Sequence, residues 1–248
     1  MKSLFLFIIL FYSFIASQVI GQTDSLFDEG VNALAEDNYK KAAEYFEKDI
    51  KQAPNFEGFY NLGIAKAELG KSIESLWAFE SALKYKPING SAQFNAALVF
   101  EEIEPSKEWK HPFSWYTRII SSVNLMLWIS IAFIFSLVSG VIIYLIASKH
   151  QNFGLQKWSK RLIIPSILIL AISIYGAIES SKHFNKLHFL YPKSENITVY
   201  IKPGGIELKD KLSFSTRYKI ISKEGEWLEV KTNKNHSVWT KKEDVLSY

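Results

Sequence analysis

The side chains able to do acid–base or metal chemistry here are five histidines, His111, His150, His183, His188 and His236, and 25 Asp and Glu; cysteine is absent. Without cysteine there are no disulfides, thiolate metal ligands or thiol nucleophiles. A helical zinc site spaces two His around a Glu so that both reach one ion, and no HExxH or equivalent spacing occurs. A GxSxG nucleophile elbow, a P-loop and a dinucleotide fingerprint are also missing. The carboxylates are expected on helix surfaces, where such groups are ordinarily solvated. These residues predict no enzyme, no catalytic residue, no cofactor and no metal, and they turn the question from catalysis to recognition.

The elements that must present such a surface are visible in the composition. The chain has 248 residues, 48% hydrophobic and 22% charged, with a formal net charge of +4. Its mean hydropathy of +0.01 is high for a soluble protein, so apolar residues must be concentrated somewhere. The net charge is a cancellation: residues 22–123 are acid-rich, 148–161 carry only basic charges, and 179–248 are basic. No block is basic enough to suggest nucleic acid.

Residues 1–21 carry Lys2, an apolar run from Leu4 to Ile15 and small residues near Gly21, the layout of a secretory signal peptide. Read instead as an uncleaved anchor, the uncharged run from Ser3 to Thr23 is also long enough to cross a bilayer. Both readings deliver the residues after 22 to the far side of the membrane.

Next along the chain is an internal repeat. Residues 25–54 align with 58–87, matching Gly30 with Gly63, Phe46 with Phe79 and Pro54 with Pro87, each 33 apart. The small residues let two antiparallel helices approach, the aromatic fills the gap, and Pro ends the second helix. Residues 90–103 repeat the first-helix pattern, Phe94-Asn95 standing where Tyr60-Asn61 stands one unit earlier. This resembles the tetratricopeptide repeat (TPR): Leu62-Gly63, Leu69-Gly70, Ala82 and Pro87 fall on consensus positions, as do Gly30, Tyr39, Ala42, Phe46 and Pro54. Asp49 and Ser75 depart from the usual Ala. The expected array spans 23–104, about 2.5 repeats with a capping helix at 90–103, near the lower limit for a stable solenoid, and so it leans on something else.

The resemblance implies a peptide- or helix-binding groove built from the first helix of each repeat. Phe27, Val31, Tyr60, Ile64, Phe94 and Leu98 would line it, with Glu57, Glu68, Glu101 and Glu102 as an acidic rim. The basic residues with which some TPR domains clamp a C-terminal carboxylate are absent from these positions. An apolar partner segment with basic flanks is the expected ligand, unless these aromatics serve only as core between repeats.

Residues 124–147 and 162–178 are uncharged and read as two transmembrane helices. In the second, Pro165 is expected in the first turn, where its missing N–H is tolerated. The intervening 148–161 holds Lys149, Lys157, Lys160 and Arg161 and no acid, so the positive-inside rule makes it a cytoplasmic loop. The N-terminal signal demands the same orientation independently. Uncharged spans argue against an ion pathway; Ser136, Ser139 and Gly140 are candidates to pack against Gly176 or against another protein's helix. In the juxtamembrane segment 105–123, Trp109, Phe113, Trp115 and Tyr116 suit the bilayer interface or a cover over the end of the array.

After a linker at 179–194, residues 195–248 change to short β-rich runs, with a hairpin turn at Lys223-Glu224-Gly225-Glu226. The runs Val199-Tyr200, Trp227 to Val230 and Val238-Trp239-Thr240 resemble the bacterial SH3-like (SH3b) barrel. That family is associated with cell-wall peptides, so Trp227 and Trp239 are either a ligand-binding barrel surface or core aromatics. The expected fold class is a multi-domain membrane protein: an α-helical TPR solenoid, two transmembrane helices and a small all-β SH3-like barrel.

The order of parts resembles the BatE-like proteins of the Bacteroides aerotolerance (Bat) operon over nearly the whole chain. This implies a protein-protein scaffold in the bacterial inner membrane, both modules periplasmic, beside von Willebrand A domain Bat proteins that would hold any metal. The alternative is a sensor or anchor binding peptidoglycan through the barrel.

Overall fold

The computed structural model describes residues 25–148, 153–195, 197–232 and 235–248. The expected signal peptide, Lys149 and His150 lie outside them.

Five helices come first: α1 (Ser25–Ala35), α2 (Tyr39–Gln52), α3 (Phe56–Glu68), α4 (Ser72–Tyr85) and α5 (Gly90–Ile103). Three of them start on asparagine. The side chains of Asn38, Asn55 and Asn89 accept from the N–H groups of Lys41, Gly58 and Ala92 at 3.3, 2.8 and 2.9 Å. Each satisfies a donor that the first turn leaves unpaired. At the end of α3 the chain reverses at Gly70, whose φ of 69° is the left-handed conformation that glycine reaches without strain.

The 33-residue spacing becomes a repeated contact. A Cβ on Gly30 would lie 2.6 Å from the Phe46 ring, and one on Gly63 would lie 2.7 Å from the Phe79 ring. Both rings are buried, so each glycine is the space its phenylalanine fills. The two departures from Ala are absorbed locally. Ser75 Oγ donates to the Gly63 carbonyl at 2.8 Å, and Asp49 is buried beside Gly58. Lys66 crosses three helices, pairing with Glu47 at 2.7 Å and with Glu74.

A short helix α6 (Trp115–Ser122), capped by the Ser114 hydroxyl, leads into α7 (Leu125–Ala147) and α8 (Phe153–Asn185). Both α7 and the 157–185 part of α8 are long and apolar enough to cross a membrane. They pack along their length on small residues. Ser159, Ser166, Ser173 and Ser180 of α8, seven residues apart, are all buried, as is Ser139 of α7, whose hydroxyl donates to that of Ser166 at 3.1 Å. A seven-residue seam keeps one face of a helix turned to its neighbour. Gly176 meets Trp128, not the expected Ser136, Ser139 or Gly140: its Cβ would lie 2.6 Å from that indole, whereas Gly140 faces open space.

Element bounds differ from the expected ones in three places. Most of the 148–161 loop is helix, because α8 begins at Phe153, and Pro165 is therefore interior rather than in a first turn. The carbonyl its missing N–H releases is that of Arg161, at the charged end of the apolar stretch, where water can reach it. Much of the linker 179–194 is also ordered: α8 runs on to Asn185, and the first strand occupies Phe189–Pro192. The sheet thus starts before residue 195.

That sheet comprises β1 (Phe189–Pro192), β2 (Thr198–Tyr200), β3 (Glu207–Lys211), β4 (Tyr218–Glu224), β5 (Trp227–Lys231), β6 (Ser237–Lys241) and β7 (Val245–Ser247). Its order is β3-β2-β6-β5-β4-β1-β7, and every neighbouring pair is antiparallel. The β4–β5 hairpin turns at Gly225, φ 55°, with Glu224 opposite Trp227. Period-2 alternation sends Leu190, Val199, Ile220, Leu228, Val230, Val238 and Val245 into one core, so the sheet curls about it.

Helices and sheet share a further core. Ile73, Leu76 and Phe79 of α4, Ala96 and Val99 of α5, Phe113, Tyr191 of β1 and Tyr248 are buried together. The short array therefore leans on the sheet, and the segment before α6 closes its open end through Trp109 and Phe113. Trp115 and Tyr116 stay exposed, next to the membrane-length helices.

Candidate functional site

The expected groove residues divide into a buried floor and an exposed ridge. Phe27 packs its ring on Phe46 at 5.7 Å. Tyr60 stacks on Phe56 at 5.5 Å and meets the edge of Phe79 at 5.7 Å, and its hydroxyl accepts from Asn95 Nδ2 at 3.2 Å. That last bond makes α3 and α5, the first helices of successive pairs, direct neighbours. Ile64 is half-buried in the core shared with the sheet. Val31, Phe94 and Leu98, by contrast, are 40%, 68% and 50% exposed. An apolar ridge on α1 and α5 thus flanks an aromatic floor on α3.

The rim is less acidic than its composition. Glu57 is engaged by Lys86, which also lies over the Phe56 ring at 4.6 Å. Partial burial would raise the Glu57 pKa, but the Lys86 ammonium outweighs it and holds the carboxyl below its usual range. Glu68, Glu101 and Glu102 are exposed beside the ridge.

Trp227 and Trp239 are half-buried and lie outside the sheet core. Trp239 pairs with Tyr200 across β2–β6, and Trp227 meets Tyr200 edge-on at 4.9 Å. The three rings form a strip on the outer face of β2, β6 and β5.

Sequence reasoning missed the polar joint between helices and sheet. Glu80 of α4, fully buried, is its centre. One carboxylate oxygen accepts from Trp109 Nε1 at 2.8 Å and pairs with Arg217; the other accepts from the Tyr191 hydroxyl at 2.9 Å and from the Tyr248 hydroxyl. Arg217 also donates to the Lys110 carbonyl at 2.9 Å and lies over the Phe189 ring at 5.3 Å. Burial alone would lower the Arg217 pKa; Glu80 and the two tyrosines reverse this and hold the guanidinium charged. Burial, then the Glu80 charge, pushes both tyrosines well above their ordinary range, so they remain donors. A buried carboxylate with four donors, one of them its counter-ion, is fully satisfied, which suits a structural lock. The one signal in the sequence was Glu80 itself, an acid beside Phe79 in a helix otherwise turned to the core.

Three of the five histidines meet at the same joint. His111, His183 and His188 surround the Phe113 ring at 5.9, 4.7 and 5.3 Å. Their Nε2 atoms reach the carbonyls of Pro87, Lys84 and His183 at 2.9, 3.0 and 2.8 Å. A ring nitrogen that donates to a carbonyl is not offered to a metal, and no group of three or more His, Cys, Asp or Glu among the described residues is placed to hold an ion. His236 is exposed and apart.

Lys84 completes the joint. Its ammonium donates to the Lys186 carbonyl at the end of α8, at 2.9 Å, and burial pushes its pKa down to about 8. The extended helix α8 is therefore fixed to α4 by side chains of Lys84 and His183 and by the Tyr85–Phe184 ring contact.

No protein-family model, curated protein or solved structure matches this chain.

Proposed function

We propose that this protein is a membrane-anchored scaffold of Bat type, built from a TPR-like array and an SH3-like sheet, whose first-helix face binds an apolar segment of a partner membrane protein. The observation that carries the reading is the exposed ridge of Val31, Phe94 and Leu98 on an array whose other side is already covered by the sheet. An apolar strip bordered by free acids suits an amphipathic helix with basic flanks. The repeated Gly30–Phe46 and Gly63–Phe79 contacts support the TPR likeness. The shared helix–sheet core requires both modules to lie on one side of a bilayer crossed by α7 and α8. Together with the signal-like N-terminus and the basic stretch between the spans, this favours the periplasmic face of a bacterial inner membrane. The partner class is a von Willebrand A domain protein of the same system, and no catalysis or cofactor is assigned to this chain.

Substitution of both Phe94 and Leu98 by Asp tests the proposal. Co-purification of the von Willebrand A domain partner should fall at least about tenfold, since burying two apolar anchors contributes several kcal/mol. Undiminished co-purification with an intact fold would rule the groove out as the binding face.

The strip of Tyr200, Trp227 and Trp239 favours a second reading, a peptidoglycan-binding sensor or anchor, because outward aromatic faces suit stacking on sugar rings. Binding of purified cell-wall sacculi that disappears in Trp227→Ala/Trp239→Ala would support it; sacculi ignored by the parent protein would exclude it.

A further inference from the structure

A cavity of about 410 Å³ opens where the chain leaves the membrane-length helices. Its walls are α6, the end of α8 beyond Ile178, and the first residues of β1 and β4. Tyr116 and Ile120 supply an aromatic and an apolar side; Lys182 of α8, Lys186 just after it and Lys219 of β4 supply cationic heads. Lys182 is paired with Glu179, which also lines the cavity, at 2.8 Å. No ion pair engages Lys186 or Lys219 among the described residues. The cavity therefore holds an uncompensated positive charge. His188 registers it: burial lowers its pKa first, and the charges of Lys84, Lys186 and Lys219 lower it further.

His183, only 3% exposed, lines the same cavity. Its Nε2 donates to the Lys84 carbonyl, which leaves Nδ1 of the neutral ring as an acceptor, and that atom has no partner. A ligand suited to these walls brings an anionic phosphate for the lysines.

Position identifies the source. The cavity sits where the exposed rings of Trp115 and Tyr116 border the apolar surface of α7 and α8, the headgroup depth of a bilayer. Ile119, Met126 and Leu127, all exposed, continue that apolar surface below it. We infer that this cavity binds the headgroup of an anionic glycerophospholipid, phosphatidylglycerol in type, from the leaflet facing the helix array and sheet. Lysine clusters beside membrane helices hold lipid phosphates in this way. The inference rests on the bilayer placement of α7 and α8.

The test uses the full chain in nanodiscs of phosphatidylcholine alone and with one-third phosphatidylglycerol. Lipid carried through gentle delipidation is read by native mass spectrometry, and amine labelling is read at Lys186, Lys219 and the exposed control Lys223. Phosphatidylglycerol should be retained over phosphatidylcholine and should protect Lys186 and Lys219 but not Lys223. Lys186→Gln/Lys219→Gln should cut retention roughly tenfold. Equal retention of both lipids, or no selective protection in the parent protein, overturns the inference even if the double variant folds poorly. Inorganic phosphate that gives the same protection in phosphatidylcholine discs overturns the lipid assignment in favour of a free anion. A chain that enters neither disc overturns the membrane placement and the cavity assignment with it; one that enters both without discriminating overturns the cavity assignment alone.

Discussion

Lys84 carries a charge into the joint with only a carbonyl to meet it, and its pKa of about 8 lies below the unfolded value near 10.5. The unfolded chain therefore binds more protons between those values, and stability from this group rises as pH climbs from about 8 towards 10.5. Lys84→Met should raise stability at pH 7 by about 1 kcal/mol or more and flatten that rise in thermal unfolding. The histidines act at the other end of the scale. His111 and His188 have pKa values lowered chiefly by burial, so their contribution is complete above about pH 6.5 and is lost as pH falls below it. Melting temperature should drop between pH 6.5 and 5, and less so in His111→Gln. Glu80 is the residue the joint can least lose. Glu80→Gln strands the Arg217 charge among buried groups and should cost about 3–5 kcal/mol, with part recovered in Glu80→Leu/Arg217→Met. Unchanged unfolding in Glu80→Gln would show that the joint is not what ties the modules together.

At the scale of elements, what could be read beforehand was what is local. Gly30 with Phe46 and Gly63 with Phe79 sit 16 residues apart within their own helix pairs, and that spacing leads directly to the ring-on-glycine contact. The two membrane-length helices and the β4–β5 hairpin were equally legible, from uncharged runs and a turn glycine. The joint was not, because residues 80, 109, 191, 217 and 248 come from five separate segments and each is an ordinary residue in its own neighbourhood. The serines at 159, 166, 173 and 180 stand at a visible period, yet a period does not say which helix they face. The proposed groove was half legible: the TPR resemblance named its residues, but not that Tyr60 and Ile64 are half-buried while Phe94 and Leu98 stand exposed. These contacts can be probed by substitution. Gly63→Ala should destabilise by about 1–3 kcal/mol despite alanine's better helix propensity, because the buried Phe79 ring has nowhere to move. Ser139→Cys/Ser166→Cys, in a chain with no other cysteine, should form a disulfide on mild oxidation. Failure of that pair to cross-link in membranes would contradict the α7–α8 packing.

For the whole molecule, α8 acts as a strut. It continues past its apolar stretch and ends against Lys84, Tyr85 and Phe113, so the array, sheet and membrane-length helices form one body. Under the proposed scaffold reading, such a body would hold its binding face at a fixed height and orientation above the bilayer, which would remove part of the orientational cost of meeting a membrane-bound partner. The most direct test replaces Phe94 with a photo-reactive phenylalanine analogue in intact cells, with a matched probe at Trp239, and identifies adducts by mass spectrometry. A scaffold that binds through its helix array should give a discrete adduct between position 94 and a von Willebrand A domain membrane protein, lost when Leu98 is changed to Asp. Adducts confined to position 239 and carrying cell-wall fragments would contradict this and leave the helix array as a spacer.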